Sequence, residues 1–299
     1  MNSVRDGSKT SDEVCGVVIS YRPPAQFLTN VLRLAEQVGH LVIVDNTPAP
    51  DVPDAIEGLR SLDGCTVICN GKNLGIAAAL NIGIRQAIAL GYSWIVCFDQ
   101  DSAIGEGYME AMLAAGREAE RQGRVGLICP RYIDEGLGVF LPTPRAANGE
   151  ITGCLTSGTL MRASTFGAMG PMEEKLFIDY VDHEYCLRLR SAGYKIVECQ
   201  GAILQHSLGR MSYETLLGIK ISTTNHSPQR RYYIHRNRLT LVIRYWLKDK
   251  EWALREFKGL VKDSVKILLL EEKKLAKAKY MARAFYDALF GRLGARVDL

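Results

Sequence analysis

The chain has 299 residues, of which 47% are hydrophobic and 23% are charged, so its composition is that of a globular protein and excludes a disordered one. The net charge of +4 is unevenly divided, because the residues from 230 to the end carry 18 Lys and Arg against 8 Asp and Glu, whereas residues 1–229 carry a net charge of −6. No CxxC pair occurs among the eight cysteines, which excludes a zinc ribbon and a thioredoxin-like redox site.

The first residues are polar. Residues 1–13 lack the apolar stretch of a secretory signal, and no run in the chain approaches the ~18 apolar residues of a membrane-spanning helix. We therefore expect a flexible N-terminus over residues 1–13 and a cytoplasmic protein.

Apolar runs alternate with helical patterns over the first hundred residues. Four runs predict strands: VCGVVISY (14–21), LVIVDN (41–46), CTVICN (65–70) and WIVCFDQDS (94–102). Continuously apolar strands that alternate with helices predict a parallel sheet covered on both faces. In such sheets ligands bind beyond the carboxyl ends of the strands. The polar residues that end these strands mark the predicted site: Arg22, Asp45, Asn46, Asn70, Asp99 and Asp101.

The alternation weakens beyond residue 105. The pattern predicts a helix over 107–121 and a strand over 125–133, and residues 176–199 read as a loop, a helix that ends near Gly193 and a strand. We assign an α/β catalytic domain to residues 14–210 and a basic helical region to residues 211–299.

Two acids follow the fourth predicted strand. In Asp99-Gln100-Asp101 the carboxylates are at positions i and i+2, which lie on the same side of a strand. Divalent cations such as Mg²⁺ and Mn²⁺ prefer carboxylate oxygens together with phosphate. The alternative is a pair of ordinary loop acids that face solvent. The apolar strand directly before them and the neighbouring strand end at Asp45 favour a metal site.

With these motifs, the sequence resembles the family 2 glycosyltransferases, which have the GT-A fold that binds nucleotide-sugars. The resemblance covers about residues 14–206 and rests on VVISYR, VDN, NLGIAAALNIG, FDQDS, SGTLMR and FIDYVDHEYCLRLRSAGY. Within the family, IAAALN, FDQDS and FIDYVDHEYCLR are most similar to the bacterial rhamnosyltransferases, which use dTDP-L-rhamnose to build O-antigen, other polysaccharides or rhamnolipid. The resemblance implies a Rossmann-like, mostly parallel sheet flanked by helices.

The resemblance also implies a nucleotide pocket. Its residues would be Ser20, Tyr21, Arg22, Asp45, Asn73, Gly75 and Asp99. Asp45 would accept a hydrogen bond from the pyrimidine N3–H, and Asp99 would contact the ribose. Asn73 and Gly75 would let the backbone approach the nucleotide, because glycine permits close contact and unusual φ. The alternative for residues 73–83 is simple small-residue helix packing.

Further residues are implied for the metal and the acceptor. Asp101 would hold Mg²⁺ or Mn²⁺, with Asp99 and His206 as further candidate ligands. A lone His is also often a packed or surface residue, so both interpretations of His206 stay open. Ser157 and Gly158 resemble a family turn near the acceptor, and an ordinary strand turn is the alternative.

A second acidic cluster comprises Asp179, Asp182 and Glu184. The family usually has Glu-Asp here, with the Asp as catalytic base. When the sequence is aligned with the family through LRLRSAG, Asp182 corresponds to that Asp and Val181 to the Glu. The resemblance therefore implies Asp182 as the base, with Glu184 and Asp179 as alternatives. An Asp at a helix start is also a good cap. A single carboxylate at the sugar implies direct displacement with inversion.

The C-terminal region combines positive charge with apolar spacing. Arginines alternate with apolar residues over 228–246, and a helical stripe follows, formed by Leu254, Phe257, Val261, Val265 and Leu268. We expect these helices to lie on an anionic membrane, where each cation contributes ~1 kcal/mol. The alternative is packing on the catalytic domain or on a second subunit, which would give a homodimer. Nucleic-acid binding is disfavoured, because the preceding domain already carries a sugar-nucleotide site.

These features predict a metal-dependent, inverting rhamnosyltransferase at the inner face of the plasma membrane. Its partners would be dTDP-L-rhamnose and a lipid-linked glycan or a glycolipid. The alternatives are a UDP- or GDP-sugar donor and a catalytically inactive homologue that serves as a scaffold. A GxSxG elbow, a GxxxxGK[ST] loop and a strand followed by GxGxxG are all absent, which excludes the hydrolase, kinase and dehydrogenase interpretations.

Overall fold

The computed structural model describes residues 10–134, 136, 138–206, 212–216 and 219–296, with their side chains except at 10, 11, 206 and 212–222. The chain divides into two compact units. The first comprises Met1–Met172 with Tyr185–Ser207, and the second comprises Glu173–Glu184 with Leu208–Leu299. Residues 173–184, which the sequence analysis assigned to the domain at 14–210, therefore group with the C-terminal helices.

The first unit is built on an eight-stranded sheet. Its strands are β1 (Val14–Ser20), β2 (His40–Asp45), β3 (Cys65–Cys69), β4 (Trp94–Asp99), β5 (Ala103–Ile104), β6 (Val125–Asp134), β7 (Thr159–Arg162) and β8 (Lys195–His206). The order across the sheet is β3-β2-β1-β4-β7-β6-β8-β5. The predicted parallel pairing of the first four strands is confirmed, and β6 and β8 are parallel too. The sheet is nevertheless mixed, because β7 runs antiparallel to β4 and β6, and β5 runs antiparallel to β8.

Helices flank this sheet. They are α1 (Phe27–Ala35), α2 (Asp54–Gly58), α3 (Ile76–Ala89), α4 (Tyr108–Arg121), α5 (Ala163–Met169) and α6 (Val181–Ser191), which begins in the second unit. The apolar residues of α1 at helical spacing are buried in the core with Val18 of β1. Small residues bring α3 close to the sheet, since a Cβ on Gly83 would lie 2.3 Å from Val17 Cγ1. The small-residue packing considered for residues 73–83 is thus present in α3.

The second unit contains a hairpin and three long helices. The hairpin joins β9 (Ser212–Leu216) and β10 (Ile219–Thr223), and the helices are α7 (Pro228–Tyr245), α8 (Lys250–Leu270) and α9 (Lys274–Leu289). Ser227 and Asp249 cap α7 and α8, because their side chains accept hydrogen bonds from backbone N–H groups of the first turn. Leu239, Leu260 and Ala288 form a core between the three helices. The predicted C-terminal helical region is confirmed, whereas the hairpin was not predicted.

No helix in the described part of the chain combines the length and the apolar character that crossing a bilayer requires.

The positive charge of the C-terminal region is partly internal. Three arginines of α7 and one lysine of α9 are buried: Arg231, Arg236, Arg238 and Lys277. Glu271 is itself buried and accepts hydrogen bonds from Arg231 and from Lys277, whose Nζ lies 2.9 Å from Glu271 Oε2. Arg238 pairs with Glu256 and Asp263. Pairing of this kind is what allows charged side chains to be buried, and it removes these cations from any exposed basic face.

Candidate active site

The carboxyl ends of β3, β2, β1 and β4 meet at one edge of the sheet. The register aligns Cys69 with Asp45, Asp45 with Ser20, and Ile19 with Asp99. This edge and the loops that continue from it bring together most of the predicted nucleotide-binding residues, and we call the cluster the strand-end site. It comprises Ser20, Tyr21, Arg22, Asp45, Asn46, Asn70, Asn73, Gly75, Asp99, Gln100 and Asp101.

Asp45 lies at the centre of this edge and is fully buried. Its Oδ1 accepts hydrogen bonds from Ser20 Oγ at 2.6 Å and from Thr47 Oγ1 at 3.0 Å, and its Oδ2 accepts one from the Thr47 backbone N–H at 3.0 Å. A carboxylate offers about four lone pairs, so these three bonds leave one on Oδ2. Asp45 therefore ties the ends of β1 and β2 together, and its contact with a pyrimidine stays a prediction.

Two exposed side chains follow β1. Tyr21 and Arg22 extend from the strand end, while their backbone N–H groups donate to Gln100 Oε1 and Thr47 Oγ1, each at 2.8 Å. Arg22 also forms a surface ion pair with Asp51 at 3.1 Å. Gln100 was not among the predicted site residues, although its place between two motif acids was the available signal. Its side chain ties the end of β4 to the end of β1.

Asparagines connect the loops after β2 and β3 to the start of α3. Asn46 donates from Nδ2 to the Gly75 carbonyl at 3.1 Å and accepts at Oδ1 from Asn70 Nδ2 at 2.8 Å. Asn73 Oδ1 accepts from the Gly75 N–H at 2.9 Å, which forms a local turn. Gly75 has a φ of +87°, a conformation that side-chain-bearing residues rarely adopt. This loop conformation therefore requires glycine at the position where the nucleotide was predicted to approach.

The two motif acids differ in exposure, because Asp99 is half-buried at the end of β4 and Asp101 is exposed in the turn that follows. Among the described residues, no group of three or more His, Cys, Asp and Glu side chains could hold a metal ion. Mg²⁺ is commonly bound by one or two carboxylates together with substrate phosphates and water. Asp99 and Asp101 supply two hard oxygen ligands next to the predicted nucleotide pocket, so these residues fit a cation shared with a diphosphate.

Ser157 and Gly158 lie beside β4. Ser157 is buried, its Oγ accepts from the Asp99 backbone N–H at 3.1 Å, and it shares a hydrogen bond with Ser102 Oγ at 2.5 Å. Gly158 donates from its backbone N–H to the Cys97 carbonyl at 2.7 Å. These bonds position the end of β4, which agrees with the strand-turn interpretation, and the acceptor role stays a prediction. The side chain of His206 lies outside the described residues.

The second acidic cluster lies around the start of α6, in the second unit. Residues 177–180, which we call the α6 loop, connect a 3₁₀ turn at Glu174–Leu176 to α6. Phe177, Asp179 and Tyr180 have φ values of +68°, +61° and +66°. Such left-handed conformations cost non-glycine residues about 1–3 kcal/mol each and persist only where the surroundings impose them.

Asp179 is held within this loop. Its Oδ1 accepts from Arg230 Nη2 at 3.2 Å, and its Oδ2 is buried and has no hydrogen-bond partner among the described residues. Burial raises the pKa of the Asp179 carboxyl, and the positive charge of Arg230 only partly opposes this rise. Asp182 raises this pKa further, because a nearby negative charge disfavours ionisation.

Asp182 and Glu184 have different surroundings. Glu184 is buried, and its Oε1 accepts from Tyr245 Oη at 3.4 Å and lies 3.9 Å from Arg244 Nη1. Asp182 is only half-buried in the first turn of α6, and its Oδ1 accepts from the His183 backbone N–H at 2.8 Å. Asp182 is therefore the more accessible of the two, at the helix end that favours negative charge. The assignment of the base within this cluster stays a prediction.

Comparison with known proteins identifies the family. A family model for glycosyl transferase family 2 matches residues 17–167, half of the chain. The chain belongs to glycosyl transferase family 2. It is a glycosyltransferase, and the matched residues include all of the strand-end site, whereas the acidic cluster at 179–184 lies beyond them.

Two relatives match across most of the chain. The dTDP-rhamnosyl transferase RfbF of Shigella flexneri is 29% identical over 95% of this chain and 97% of its own length. The galactofuranosyltransferase GlfT1 of Mycolicibacterium smegmatis is 24% identical over 81% of this chain and 88% of its own length. Both similarities extend beyond the residues that the family model matches.

The fold also matches solved structures. The structure of S. aureus TarS 1–349 in complex with UDP-GlcNAc aligns with a TM-score of 0.60 and 14% identity, covering 92% of this chain and 80% of that one. The family 2 chain described here therefore has the GT-A fold, as the sequence analysis predicted.

Proposed function

We propose that this glycosyltransferase transfers L-rhamnose from dTDP-L-rhamnose to a hydroxyl group of a lipid-linked glycan or a glycolipid, with inversion at the sugar. The observation that carries the choice of donor is the similarity to the dTDP-rhamnosyl transferase RfbF, which extends over nearly the full length of both chains. The product would belong to a bacterial polysaccharide such as an O-antigen, or to a rhamnolipid.

In this proposal the strand-end site binds the donor. The exposed side chains of Tyr21 and Arg22 would contact the nucleotide, and the ring of Tyr21 offers a flat apolar surface to a base. Asp99 would accept hydrogen bonds from the ribose hydroxyls. Asp45 would use its remaining lone pair for the thymine N3–H, with Ser20 and Thr47 fixing the orientation of its carboxylate.

Asp101 and Asp99 would hold Mg²⁺ or Mn²⁺. When bound, such a cation neutralises the negative charge that builds on the departing diphosphate. Two carboxylates at the end of one strand carry this part of the proposal, because divalent cations bound with nucleotides need few protein ligands. If the site depends on the metal, dTDP should bind only in the presence of Mg²⁺ or Mn²⁺, and a chelator should abolish this binding.

Asp182 would act as the general base. The acceptor oxygen forms the new bond to C1 of rhamnose, the bond from C1 to the diphosphate oxygen breaks, and dTDP leaves with the electron pair of that bond. The proton of the acceptor hydroxyl passes to the Asp182 carboxylate. A direct displacement of this kind inverts the configuration at C1 and needs only one carboxylate at the sugar.

A panel of nucleotides and donors tests this function. We expect dTDP with Mg²⁺ to raise the melting temperature more than UDP or GDP does, and dTDP-L-rhamnose to be hydrolysed slowly in the absence of an acceptor. Stabilisation by UDP without any by dTDP would contradict the rhamnosyl donor and favour a UDP-sugar. Binding without hydrolysis or transfer of any sugar-nucleotide would favour the inactive-scaffold alternative.

The proposal also places the enzyme on the inner face of the plasma membrane. The apolar stripe of α8, which we call the docking stripe, consists of Leu254, Phe257, Val261, Val265 and Leu268. These five side chains are between 39% and 52% exposed. Next to the stripe, the α7 end and α8 form an apolar groove lined by Leu239, Val242, Ile243, Trp246, Leu247 and Phe257. Exposed apolar surface of this extent is typical of an interaction site.

The charges beside the docking stripe favour an anionic bilayer as its partner. Lys258 and Lys262 are exposed, and each lies one position after an apolar residue of the stripe. A helix with an apolar face and lysines beside it can lie in the interface of an anionic membrane, where each cation adds ~1 kcal/mol. The buried arginines of α7 do not contribute to this surface.

Vesicle flotation separates the membrane from a second subunit. We expect the full chain to float with phosphatidylglycerol vesicles and not with phosphatidylcholine vesicles, and Phe257→Asp with Val261→Asp to abolish flotation. Leu32→Asp is the matched control, because Leu32 is as exposed but lies on α1 of the first unit. If the stripe variant still floats but changes from dimer to monomer in sedimentation, the stripe is a subunit contact instead.

A further inference from the structure

We propose that Asn237 of α7, oriented by Arg236, is a positioning residue for the reaction, because it holds the α6 loop in the conformation from which α6 and Asp182 start. This inference rests on the proposed function, since it takes Asp182 as the base. It adds a role for two buried residues that lie beyond the part of the chain matched by the family model.

The α6 loop cannot keep its conformation by local preference. Three of its four residues are left-handed and none of them is glycine. Side-chain-bearing residues in this region are destabilised by contacts of their own Cβ, so the loop would relax to another path without support from outside. Apolar packing supplies part of this support, because Phe177 and Ile178 pack against Tyr232 and Tyr233 of α7.

Asn237 supports the α6 loop by hydrogen bonds, which apolar packing cannot provide. Its Nδ2 donates to the carbonyls of Leu176, Ile178 and Asp179, at 2.9, 2.8 and 2.9 Å. One amide nitrogen thus gathers three backbone carbonyls of residues 176–179, and because it has two N–H bonds, one of these is shared between two carbonyls. Asn237 is fully buried, so water cannot replace these hydrogen bonds when the side chain is lost.

Arg236 fixes the direction in which the Asn237 amide points. Arg236 Nε donates to Asn237 Oδ1 at 2.9 Å, and because a guanidinium can only donate, the amide oxygen must face Arg236 and the NH₂ must face the loop. The same guanidinium donates from Nη2 to the Leu176 carbonyl at 3.0 Å and from Nη1 to the Gly294 carbonyl at 2.7 Å. The two residues therefore act on the loop as one unit.

The conformation of the α6 loop determines where α6 begins, and with it the position of Asp182. The carbonyl of Tyr180, the last loop residue, accepts the Glu184 N–H at 3.0 Å in the first turn of α6. Tyr180 Oη also donates to Glu256 of α8 at 3.0 Å. Asp182 lies two residues after this anchor. A displacement of about 1 Å in a reacting group can lower a rate by about a hundredfold. Loss of the hydrogen bonds that support the α6 loop should therefore lower the rate of the chemical step.

The test uses the full chain and the hydrolysis of dTDP-L-rhamnose in the presence of Mg²⁺. For Asn237→Ala we expect kcat to fall by about ten- to a hundredfold, while the KM for the donor and the calorimetric Kd and stoichiometry for dTDP stay within twofold. Asn237→Asp keeps the size of the side chain but removes its donors, so it should lose as much. Arg236→Lys keeps the charge but cannot orient the amide in the same way, and it should give a smaller fall in kcat.

Leu260→Ala is the control for a merely structural effect. Leu260 is buried in a core with Leu239 and Ala288, so this variant should lower the melting temperature and leave kcat per folded molecule unchanged. If Asn237→Ala and Asn237→Asp keep the kcat of the wild type, Asn237 is not a positioning residue. If Asn237→Ala does not fold, the same criterion applies to Arg236→Lys.

The same assay separates this proposal from the proposed function. If Asp182→Asn abolishes hydrolysis but Asn237→Ala and Arg236→Lys do not lower kcat, the positioning role alone is overturned. If Asp182→Asn keeps wild-type kcat, the base assignment fails and the positioning role fails with it.

Discussion

The two acidic clusters of this glycosyltransferase are positioned by different parts of the structure. Asp99 and Asp101 follow a strand whose neighbours end at the same edge, so the register of parallel strands is enough to place them. Asp182 and Glu184 follow three left-handed residues, one of which is Asp179, and side chains of α7 about sixty positions further along the chain hold that loop. One acidic cluster is thus placed by neighbouring strands, whereas the other depends on residues that are distant in the sequence.

The largest effect that we expect comes from Asp182→Asn. If Asp182 is the base of the reaction, the variant should lose about 10²- to 10⁴-fold in kcat, because an amide cannot take the acceptor proton, while its dTDP affinity stays unchanged. Donor hydrolysis and calorimetry measure the two quantities. Glu184→Gln is the comparison, since its buried position next to Tyr245 and Arg244 predicts lost stability rather than lost chemistry. A larger fall in kcat for Glu184→Gln would reverse the assignment.

The free energy of unfolding should depend on pH through His235 of α7. Burial lowers the pKa of His235 to about 4, its Nδ1 lies 2.8 Å from the Arg231 carbonyl, and its Nε2 is buried without a hydrogen-bond partner among the described residues. Since the unfolded chain takes up this proton below pH 6.5 and the folded one only near pH 4, stability is full above pH 6.5 and falls as the pH drops towards 4.

The full loss from His235 would be about 3 kcal/mol. We therefore expect His235→Phe to flatten the decline in unfolding free energy between pH 6.5 and 4.5, as measured by urea titration. The pKa of His226 is also lowered to about 4, mainly by burial, so part of the slope should remain until His226→Gln is added. An unchanged slope in the double variant would show that neither histidine stays neutral in the folded chain.

At the strand-end site, we expect Asp101→Ala to weaken Mg²⁺-dependent dTDP binding by about ten- to a hundredfold, because it removes one of the two carboxylates proposed to hold the cation. In the presence of a chelator, the variant and the wild type should bind dTDP equally weakly. Asp51→Ala is the control, since Asp51 is an exposed acid that pairs with Arg22 near the same edge. Metal-dependent binding that survives in Asp101→Ala would place the cation elsewhere.

The smallest effect should come from Gln100→Ala. Its loss removes one hydrogen bond to the Tyr21 backbone, for which about 1 kcal/mol is typical, so dTDP affinity should fall only a few-fold. Gln37→Ala removes comparable bonds, to the backbone of Gly105 and Met109, away from the strand ends, and should leave the affinity unchanged. A fall beyond tenfold for Gln100→Ala would show that Gln100 contacts the nucleotide itself.

Much of the fold could be predicted because its signals are local. Continuous apolar runs predicted β1–β4 and their parallel pairing, and the polar residues after them predicted the strand-end edge. A strand was predicted at SGTLMR (157–162), but its antiparallel direction as β7 was not, because a four-residue strand carries no mark of its direction.

The support of the α6 loop could not be predicted. Left-handed backbone at Phe177, Asp179 and Tyr180 has no signature in residue type, since none of the three is glycine. The segment with Arg236 and Asn237 has the composition of an exposed basic helix, and only its contacts with the loop explain why both are buried.

The discontinuous second unit constrains how this enzyme can be recombined with its relatives. Residues 173–184 and 208–299 form one compact unit, although the segment 185–207 of the first unit separates them in sequence. A chimera that exchanges only the C-terminal helices would pair the native α6 loop with a foreign α7. If Asn237 has the proposed positioning role, such a chimera should lose turnover unless residues 173–184 are exchanged together with the helices. A single crossover before residue 173 would carry both segments, but only together with residues 185–207 of the first unit.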